Sequence, residues 1–275
     1  MMAKRSRAAP WRWLMAGVLV AAAAASALPA SAASVQLEEL TWTELRERIA
    51  AGSTTVLIPI GGTEQNGPHM TLGKHNVRVK LLAARIAERL GNAVVAPVIA
   101  YVPEGKIEPP TQHMRYPGTI TVPDAAFEAT LEGAARSLRR HGLRDVVLLG
   151  DHGGYRASLE RVAAKLNHEW GGAARVHALP EYYRAAVDFD AALKAQGFAA
   201  SEIGPHAGLA DTALMLALDP SQVHMDVAAA RPRGAVPDGV AGDPRRASAE
   251  LGRAAVEHIV AVSVAAIRDR ARPQQ

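Results

Sequence analysis

Segments with strand-like and helix-like patterns alternate along this sequence, and their order constrains the fold more than any other feature. Thr55–Ile60 and residues 145–149 are short, continuous apolar runs, as expected for strands buried on both faces. Further apolar runs lie at 93–102 and 175–179, and helical spacing of apolar residues marks 77–90, 157–170, 207–218, 245–270 and a helix that opens at Pro123-Asp124. This order predicts the α/β class, in the form of a three-layer α/β/α sandwich with a mostly parallel central sheet.

Residues 1–32 have the pattern of a signal peptide. A basic start, an apolar and alanine-rich stretch over 14–28, and the small residues Ala30-Ser31-Ala32 follow one another in the order that a Sec-type signal requires. The apolar stretch is shorter than the roughly 20 residues of a membrane-spanning helix, which disfavours an uncleaved anchor. We therefore predict a cleaved signal, a single domain over 33–275 without a stable membrane anchor, and a periplasmic or secreted location.

Charge and cysteine content narrow the classes of function. The full chain has a formal net charge of +4, but residues 1–32 carry four basic residues and no acidic one, so the remainder is neutral overall. Nucleic-acid binding therefore has no electrostatic support. The chain contains no cysteine, which excludes thiolate catalysis and cysteine-bound zinc. A metal ion in this protein must be held by His, Asp, Glu or Asn.

Four short segments could carry chemistry, and two of them directly follow predicted strands. The loop after the first strand contains Glu64, His69 and His75, while Asp151 and His152 follow the strand at 145–149. In parallel α/β folds the functional site lies beyond the carboxyl ends of the strands. Glycine pairs in both loops allow sharp turns and a close approach of the backbone to a ligand. Imidazole and carboxylate groups at this edge suit zinc or manganese.

The other two segments are tied less closely to a strand. His206 precedes a predicted helix whose first turn holds Asp211, so both side chains could border one cation. His113 lies in the proline-rich stretch 104–119, which predicts a rim or lid over the site. Lys74 could bind a substrate carboxylate or be an ordinary solvated loop residue.

Two other motif-based interpretations fail. The stretch from Gly67 to Lys74 resembles a phosphate-binding loop, but it has five residues between its glycines where that motif has four. His75 also stands where that motif requires Ser or Thr. The nucleophile motif G-x-S-x-G of α/β-hydrolases is absent from the sequence.

Taken together, these segments resemble a known family. The motifs E-Q-N-G-P-H-M-T-L-G-K-H, Y-P-G-T-I, G-D-H-G-G and H-A-G-L-A-D-T are similar, in order and strand context, to those of the creatininase (creatinine amidohydrolase) family over about residues 55–219. The resemblance implies an α/β/α sandwich, often hexameric, that uses one or two divalent metals to hydrolyse a non-peptide C–N bond. It also implies metal binding by Glu64 and His152, a metal-proximal Asp211, and catalytic proton transfer by His206.

Three positions depart from the family pattern. Asn66 stands where the family has a ligand histidine, and His75 stands where it has a bridging aspartate. Gly153-Gly154 replaces a segment in which creatininase has a glutamate. We therefore predict one Zn²⁺ or Mn²⁺ in place of two, with the ligands Glu64, His75, His152 and Asp211.

The predicted function is that of a metal-dependent amidohydrolase acting on a small cyclic or linear amide, with Glu64 and His206 as catalytic residues. His206, with a pKa near the working pH, would transfer the proton of the attacking water to the leaving nitrogen. Contacts to the substrate or to the ligands are predicted for Asn66, His69, Lys74, His113 and Asp151. The alternative is an exported homologue that binds a small molecule without catalysis. The resemblance also predicts a homo-oligomer.

Overall fold

The central sheet consists of four parallel strands. They are β1 (Thr55–Ile60), β2 (Ala93–Val95), β3 (Asp145–Gly150) and β4 (Arg175–Ala178), in the spatial order β2-β1-β3-β4. The computed structural model describes residues 34–232 and 237–271, so the predicted signal peptide 1–32 lies outside the described residues. β1 pairs with β3 along its whole length, from Thr55 opposite Asp145 to Ile60 opposite Gly150. The two central strands therefore end at the same level, and the loops that follow them begin side by side.

Helices connect the strands and continue the chain after β4. The described α-helices are α1 (Trp42–Ala50), α2 (Lys74–Leu90), α3 (Asp124–Arg140), α4 (Arg156–Trp170), α5 (Pro180–Ala195), α6 (Ala200–Ile203), α7 (Leu209–Leu218), α8 (Met225–Ala230) and α9 (Ala249–Arg270). Gly91 ends α2 and Gly171 ends α4, each with the positive φ that glycine adopts at low cost.

Both faces of the sheet are covered, which confirms the predicted three-layer α/β/α sandwich. Because successive side chains of a strand point to opposite faces, Leu57 packs into one core and Val56 and Ile58 into the other. The first core is completed by α2, α5, α7 and α9, and the second by α3 and α4, with α1 at its margin. The central strands are buried from both sides, which explains their continuous apolar sequences.

The observed elements follow the predicted ones closely, with local differences. β1 has the predicted bounds, and β3, β4 and α4 differ from prediction by one residue at one end. α2 begins three residues earlier than predicted, so Lys74 and His75 lie in its first turn. α7 and α9 begin later than predicted, and Pro244–Arg246 forms a separate 3-10 turn before α9.

Two segments depart further from prediction. The apolar run 93–102 forms a strand only over Ala93–Val95, because Pro97 has no N–H to donate to a sheet. Helix α5 has no counterpart among the predicted segments, although Pro180 at its first position and Glu181 in its first turn are typical helix starts. Within the described residues, every helix is too short or too polar to cross a membrane.

Candidate metal centre

The loops after β1 and β3 are joined at the carboxyl edge of the sheet by one tyrosine. The hydroxyl oxygen of Tyr155 lies 2.8 Å from the carbonyl oxygens of both Ile60 and Gly61. It also accepts hydrogen bonds from the backbone N–H groups of Asp151 and His152, at 3.1 and 3.0 Å. The ends of the two central strands are thereby fixed relative to each other, as a site shared between their loops requires.

Four side chains converge beyond this edge: those of Glu64, Glu104, His113 and His152 each place one ligand atom within 4.8 Å of all the others. Nε2 of His113 is 3.3 Å from Oε2 of Glu64, and Nε2 of His152 is 3.7 Å from the same oxygen. Typical N–H···O hydrogen bonds are shorter than this. Two ligands on one cation, with bonds of about 2.1 Å in tetrahedral geometry, lie about 3.4 Å apart. The separations therefore fit ligands around a single divalent ion.

The polar atoms of this group also lack other partners. Oε2 of Glu64 and both carboxylate oxygens of Glu104 are buried and have no hydrogen-bond partner among the described residues. Buried carboxylate oxygens without a donor are costly, and a cation removes that cost. Two carboxylates and two imidazoles also form a donor set suited to zinc or manganese. The residues present therefore fit a divalent metal ion.

Glycines provide the space in which these ligands approach one another. A Cβ atom on Gly62 would lie 2.5 Å from Oε1 of Glu104, and one on Gly154 would lie 2.9 Å from Cε1 of His152. Real Cβ atoms do not approach other atoms so closely. The predicted close approach of the backbone in both glycine-containing loops is thus observed, and it accommodates ligand side chains.

The two buried carboxylates differ in protonation. Burial and the negative charge of Glu64 raise the pKa of Glu104 to about 9. Burial also opposes ionisation of Glu64, but His75 and Lys74 hold the pKa of Glu64 well below its usual value. At neutral pH and without a metal, Glu64 is ionised and Glu104 keeps its proton. A cation that binds here displaces that proton.

His75 lies outside the four-residue group, although it is a predicted ligand. Its Nδ1 is 2.6 Å from Oδ2 of Asp151, and its Nε2 is 2.9 Å from Oε1 of Glu64. Both ring nitrogens therefore face carboxylates of the protein. In this arrangement His75 links the loop after β1 to the loop after β3.

Asp211 also lies outside the group, because its oxygens face cations of α2. Lys74 Nζ is 3.0 Å from Oδ2 of Asp211, and Arg78 Nη1 is 2.7 Å from Oδ1. Lys74 and Arg78 are four residues apart and therefore share one face of the helix. Although burial opposes ionisation, these cations hold the pKa of Asp211 well below its usual value. Asp211 is thus the anion of a buried ion-pair network.

Arg78 extends the network to Asp151. Its Nε is 2.8 Å from Oδ2 of Asp151, and the Tyr182 hydroxyl donates to the other oxygen at 2.7 Å. Burial opposes the ionisation of Asp151, yet Arg78 and His75 hold its pKa below the usual value. Both carboxylate oxygens of Asp151 therefore have hydrogen-bond partners, and Asp151 connects the loop after β3 to α2 and α5.

Two further predicted residues stabilise the loop after β1. The Nδ2 group of Asn66 donates to the carbonyl oxygens of Glu64 and Thr71, both at 3.0 Å. Nε2 of His69 lies 3.0 Å from Oγ1 of Thr212 in α7, and burial lowers the pKa of His69 to about 4. Both side chains are fully buried. They hold the loop in shape and against α7.

His206 presents one nitrogen to the site. Its Nε2 lies 2.9 Å from the backbone carbonyl oxygen of Gln65 and 3.1 Å from the Gln65 side-chain nitrogen. A carbonyl oxygen only accepts, so in the tautomer that makes the first hydrogen bond Nε2 carries the proton and the lone pair lies on Nδ1, 3.7 Å from Oε1 of Glu64. Burial, and after it the charge of Lys74, lowers the pKa of His206 to about 4. The expectation of a pKa near the working pH is not met, because the ring is buried beside a cation. The ring is therefore a neutral imidazole at pH 7.

Gln65 was not among the predicted site residues. It connects His206 with the four residues that could hold a metal ion, called the ligand group from here on: Glu64, Glu104, His113 and His152. Its side-chain nitrogen lies 3.0 Å from Nδ1 of His113 and donates to the carbonyl of Gly239 at 3.1 Å. Its side-chain oxygen accepts from the N–H of Gly67 at 2.9 Å. Gln65 thus orients two histidines at once.

The structure places the predicted residues at one edge of the sheet but in two groups. Glu64, His113 and His152 belong to the group that could hold a metal ion, whereas His75 and Asp211 belong to the neighbouring network of hydrogen bonds and ion pairs. Sequence reasoning missed Glu104, Gln65 and Arg78. Glu104 is the first residue of the predicted lid, and its position after apolar Val102-Pro103 was the only sequence sign that it could be buried.

Parallel α/β sandwiches with carboxylates and imidazoles clustered at the carboxyl edge are a form that metal-dependent hydrolases take. The sequence model of the creatininases, described as creatinine amidohydrolase, matches residues 38–267. This chain belongs to the creatininase family.

Individual relatives agree with this assignment. The chain is 31% identical over 225 residues to a creatinine amidohydrolase of Pseudomonas putida, which covers 78% of this chain and 85% of the relative. It is 30% identical over 241 residues to a mycofactocin precursor peptide peptidase of Mycolicibacterium smegmatis, covering 80% and 85% of the two chains. A crystal structure of creatinine amidohydrolase superimposes with a TM-score of 0.70 at 29% identity, over 88% of this chain and 99% of that one.

Two further creatininase structures concern the metal. One, a mutant described as Zn-Zn type, is 29% identical with a TM-score of 0.68 and covers 87% of this chain and 99% of its own. The other, described as creatininase Mn, is 30% identical with a TM-score of 0.68 and covers 87% and 100%. Creatininases thus carry zinc or manganese, and this chain has a group of side chains that could hold such an ion.

Proposed function

We propose that this protein is a metal-dependent amidohydrolase that cleaves the non-peptide C–N bond of a small cyclic or linear amide. One observation carries the proposal: buried carboxylate oxygens without partners converge with two imidazoles beside His206. The creatinine amidohydrolase among the relatives supports it. One Zn²⁺ or Mn²⁺ is the proposed cofactor. We also propose that the predicted signal peptide directs export of the chain and that the mature protein forms a homo-oligomer.

The ligands would be Glu64, Glu104, His113 and His152. A divalent ion held by these residues would lower the pKa of water and polarise the amide carbonyl. Glu64 contributes a permanent negative charge, since its pKa is held well below its usual value. Burial, and after it the charge of His75, lowers the pKa of His152 to about 3, which keeps that ring neutral and able to act as a ligand.

His206 would move the proton. In the tautomer with the proton on Nε2, which faces the Gln65 carbonyl, Nδ1 carries a lone pair at pH 7. Nδ1 accepts the proton of the attacking water as the C–O bond forms, and returns it to the leaving nitrogen as the C–N bond breaks. Because the pKa of His206 is about 4, its protonated form is a strong acid towards an amine leaving group.

The cleft beside these residues has the size of a small-molecule site. It has a volume of about 390 Å³, and its lining includes His113, His152, His206, Tyr183, Val187 and Leu214. The mixture of polar and apolar walls suits a compact polar ring or a short amide. A folded protein substrate would not enter it.

A second candidate function is binding without catalysis. Its support comes from Asn66 and His75, which stand where the family pattern has metal ligands. Asn66 donates into its own loop, and His75 is held between two carboxylates. A homologue that retained the cleft but lost the metal would show these features.

Metal reconstitution separates the two functions. The purified mature protein would be stripped with a chelator, reloaded with Zn²⁺ or Mn²⁺, and assayed by NMR against a panel of cyclic and linear amides. We expect about one tightly held equivalent and hydrolysis that depends on it, with both lost in His152→Ala and retained in the matched surface variant His168→Ala. A protein that binds a panel member equally well with and without metal, and hydrolyses none, would be the binding homologue.

A further inference from the structure

The two oxygens of Glu64 face different surroundings. Oε2 points to the ligand group, where His113 and His152 lie 3.3 and 3.7 Å away. Oε1 points in the other direction, to Nε2 of His75 at 2.9 Å and Nζ of Lys74 at 3.7 Å. One carboxylate therefore lies between the proposed ion and a cation that belongs to the protein. In two-metal sites, a carboxylate placed in this way bridges two ions.

Lys74 is positioned as such a cation. Its side chain is only 1% exposed, so the interpretation of a solvated loop residue does not hold. Its ammonium lies between Oε1 of Glu64 at 3.7 Å and Oδ2 of Asp211 at 3.0 Å. Burial of an ammonium is costly unless carboxylates surround it, and here two do.

The charges of the buried network favour one divalent ion over two. Its cations include Lys74 and Arg78, and His75 lies between two of its carboxylates. Its carboxylates are those of Glu64, Glu104, Asp151 and Asp211. Four negative charges thus face at least two positive ones, so a single divalent ion is enough to balance them. A second divalent ion would leave an excess of at least two positive charges in a buried site, which is strongly unfavourable.

The surrounding side chains agree with a single ion. His75 holds the place of the bridging aspartate of the family pattern, and its nitrogens face Glu64 and Asp151. Asn66 holds the place of a ligand histidine, and its amide donates to backbone carbonyls. A related creatininase structure is described as Zn-Zn type. In this chain the ammonium of Lys74 lies beside the carboxylate of Glu64, which is a member of the ligand group.

We propose that the ammonium of Lys74 takes the place of a second divalent ion, so that the protein works with one metal ion and one internal cation. This inference rests on the proposed function. Lys74 is a positioning residue: Asp211 fixes its ammonium beside Oε1 of Glu64, in the space that a second ion would need.

Metal stoichiometry tests the inference without an activity assay. Stripped protein would be saturated with Zn²⁺ or Mn²⁺, desalted, and analysed by mass spectrometry for metal per chain, and crystals would be mapped by anomalous scattering. For the unaltered protein we expect one equivalent and one peak within the Glu64, Glu104, His113 and His152 group. For Lys74→Met we expect a second equivalent and a second peak between Glu64 and Asp211. Lys80→Met, on the exposed face of α2, is the matched control and should retain one equivalent.

The outcomes are distinguishable. Two equivalents of metal per chain in the unaltered protein would overturn the role of Lys74. A folded Lys74→Met protein that binds only one equivalent would overturn it as well. Both results would leave the proposed metal-dependent hydrolase intact. No bound metal in the unaltered protein would overturn the proposed function and this inference with it. If Lys74→Met does not fold, the anomalous map of the unaltered protein decides, because a peak between Glu64 and Asp211 contradicts the inference and its absence beside a single peak in the ligand group supports it.

Discussion

Nε2 of His152 and Oε2 of Glu64 lie 3.7 Å apart, although one residue follows β3 and the other follows β1. Their proximity depends on the parallel register in which Ile60 lies opposite Gly150. It depends also on Tyr155, whose hydroxyl contacts the ends of both strands. The pairing of β1 with β3 therefore positions these two residues of the candidate metal centre, and each can be substituted separately.

Replacing Glu64 with Gln should weaken metal binding by at least about 100-fold. A neutral amide oxygen binds zinc poorly, and the substitution removes the negative charge of Glu64, whose Oε2 has no hydrogen-bond partner among the described residues. Isothermal titration of stripped protein with Zn²⁺ gives the affinity. The matched control is Glu88→Gln, which changes an exposed acid on α2. Equal affinities for the Glu64 variant and the control would exclude Glu64 as a ligand.

Stability of the metal-free protein should depend on pH through Glu104. Its pKa is about 9 in the folded protein against an ordinary value of 4.5, so the folded state holds a proton that the unfolded state releases. The stability that this group contributes is fully present below about pH 4.5 and is lost as the pH rises through about 9. Urea titrations at pH 6.5 and 8.5 should therefore show lower stability at pH 8.5. In Glu104→Gln this decline should be absent, and an unchanged decline would contradict the assignment.

Buried histidines should act in the opposite direction at acidic pH. The pKa values of His69 and His206 are about 4 and that of His152 is about 3, all below the ordinary 6.5. The unfolded state therefore binds more protons below about pH 6.5, and stability falls as the pH is lowered towards 4. Together with Glu104, this places the greatest stability of the metal-free protein near pH 6.5. A thermal denaturation series from pH 4 to 9 checks the position of the maximum.

Replacing His206 with Gln should lower kcat by about 10²–10⁴-fold and leave metal content unchanged, because His206 would move a proton and is not one of the four proposed ligands. The measurements are steady-state kinetics on an amide identified in the panel and metal analysis of the same preparation. His258→Gln, at a half-exposed position on α9, serves as the control. Loss of metal in the His206 variant would show that the ring supports the ligands.

Replacing Tyr182 with Phe should destabilise the protein by about 1–3 kcal/mol, since Oδ1 of buried Asp151 loses its hydroxyl donor. Denaturant unfolding of the metal-free protein measures this change. Tyr101→Phe removes a hydroxyl from a side chain that is 63% exposed and should have almost no effect. Similar values for the two variants would mean that the Tyr182 hydroxyl contributes little.

Export can be tested separately from chemistry. Expression of the full chain in a Gram-negative host should yield a processed protein that begins at residue 33, because Ala30-Ser31-Ala32 forms the predicted cleavage site. Intact-mass spectrometry of the periplasmic fraction and of the medium gives both the cleavage position and the destination. Unprocessed chain in the membrane fraction would support the anchor interpretation.

The fold and half of the ligand group follow from local sequence patterns. Continuous apolar runs predict β1 and β3, and the rule that parallel sheets place their sites at carboxyl ends leads directly to Glu64 and His152. His113 was recognised as a candidate near the site but not as a ligand. The fold prediction is confirmed because strand order and strand direction can be inferred from periodicity, while the ligand roles of Glu64 and His152 stay predictions.

The remaining features depend on long-range packing. Glu104 and His113 reach the site because the segment between β2 and α3 folds back over it, and no local pattern determines such a path. Asp211 was expected to border a cation, and it does, but the cations are those of Lys74 and Arg78. A sequence motif shows that a carboxylate is near positive charge without showing whether a metal or a side chain supplies it.

The segment between β2 and α3 contributes two of the four proposed ligands, Glu104 and His113. It is anchored to the loop after β1 by hydrogen bonds from the Ile120 N–H to the Thr63 carbonyl at 2.9 Å and from the Gln65 N–H to Thr119 Oγ1 at 3.1 Å. Binding of the proposed ion would therefore stabilise the position of this segment, and displacement of the segment would weaken ion binding by the same free energy.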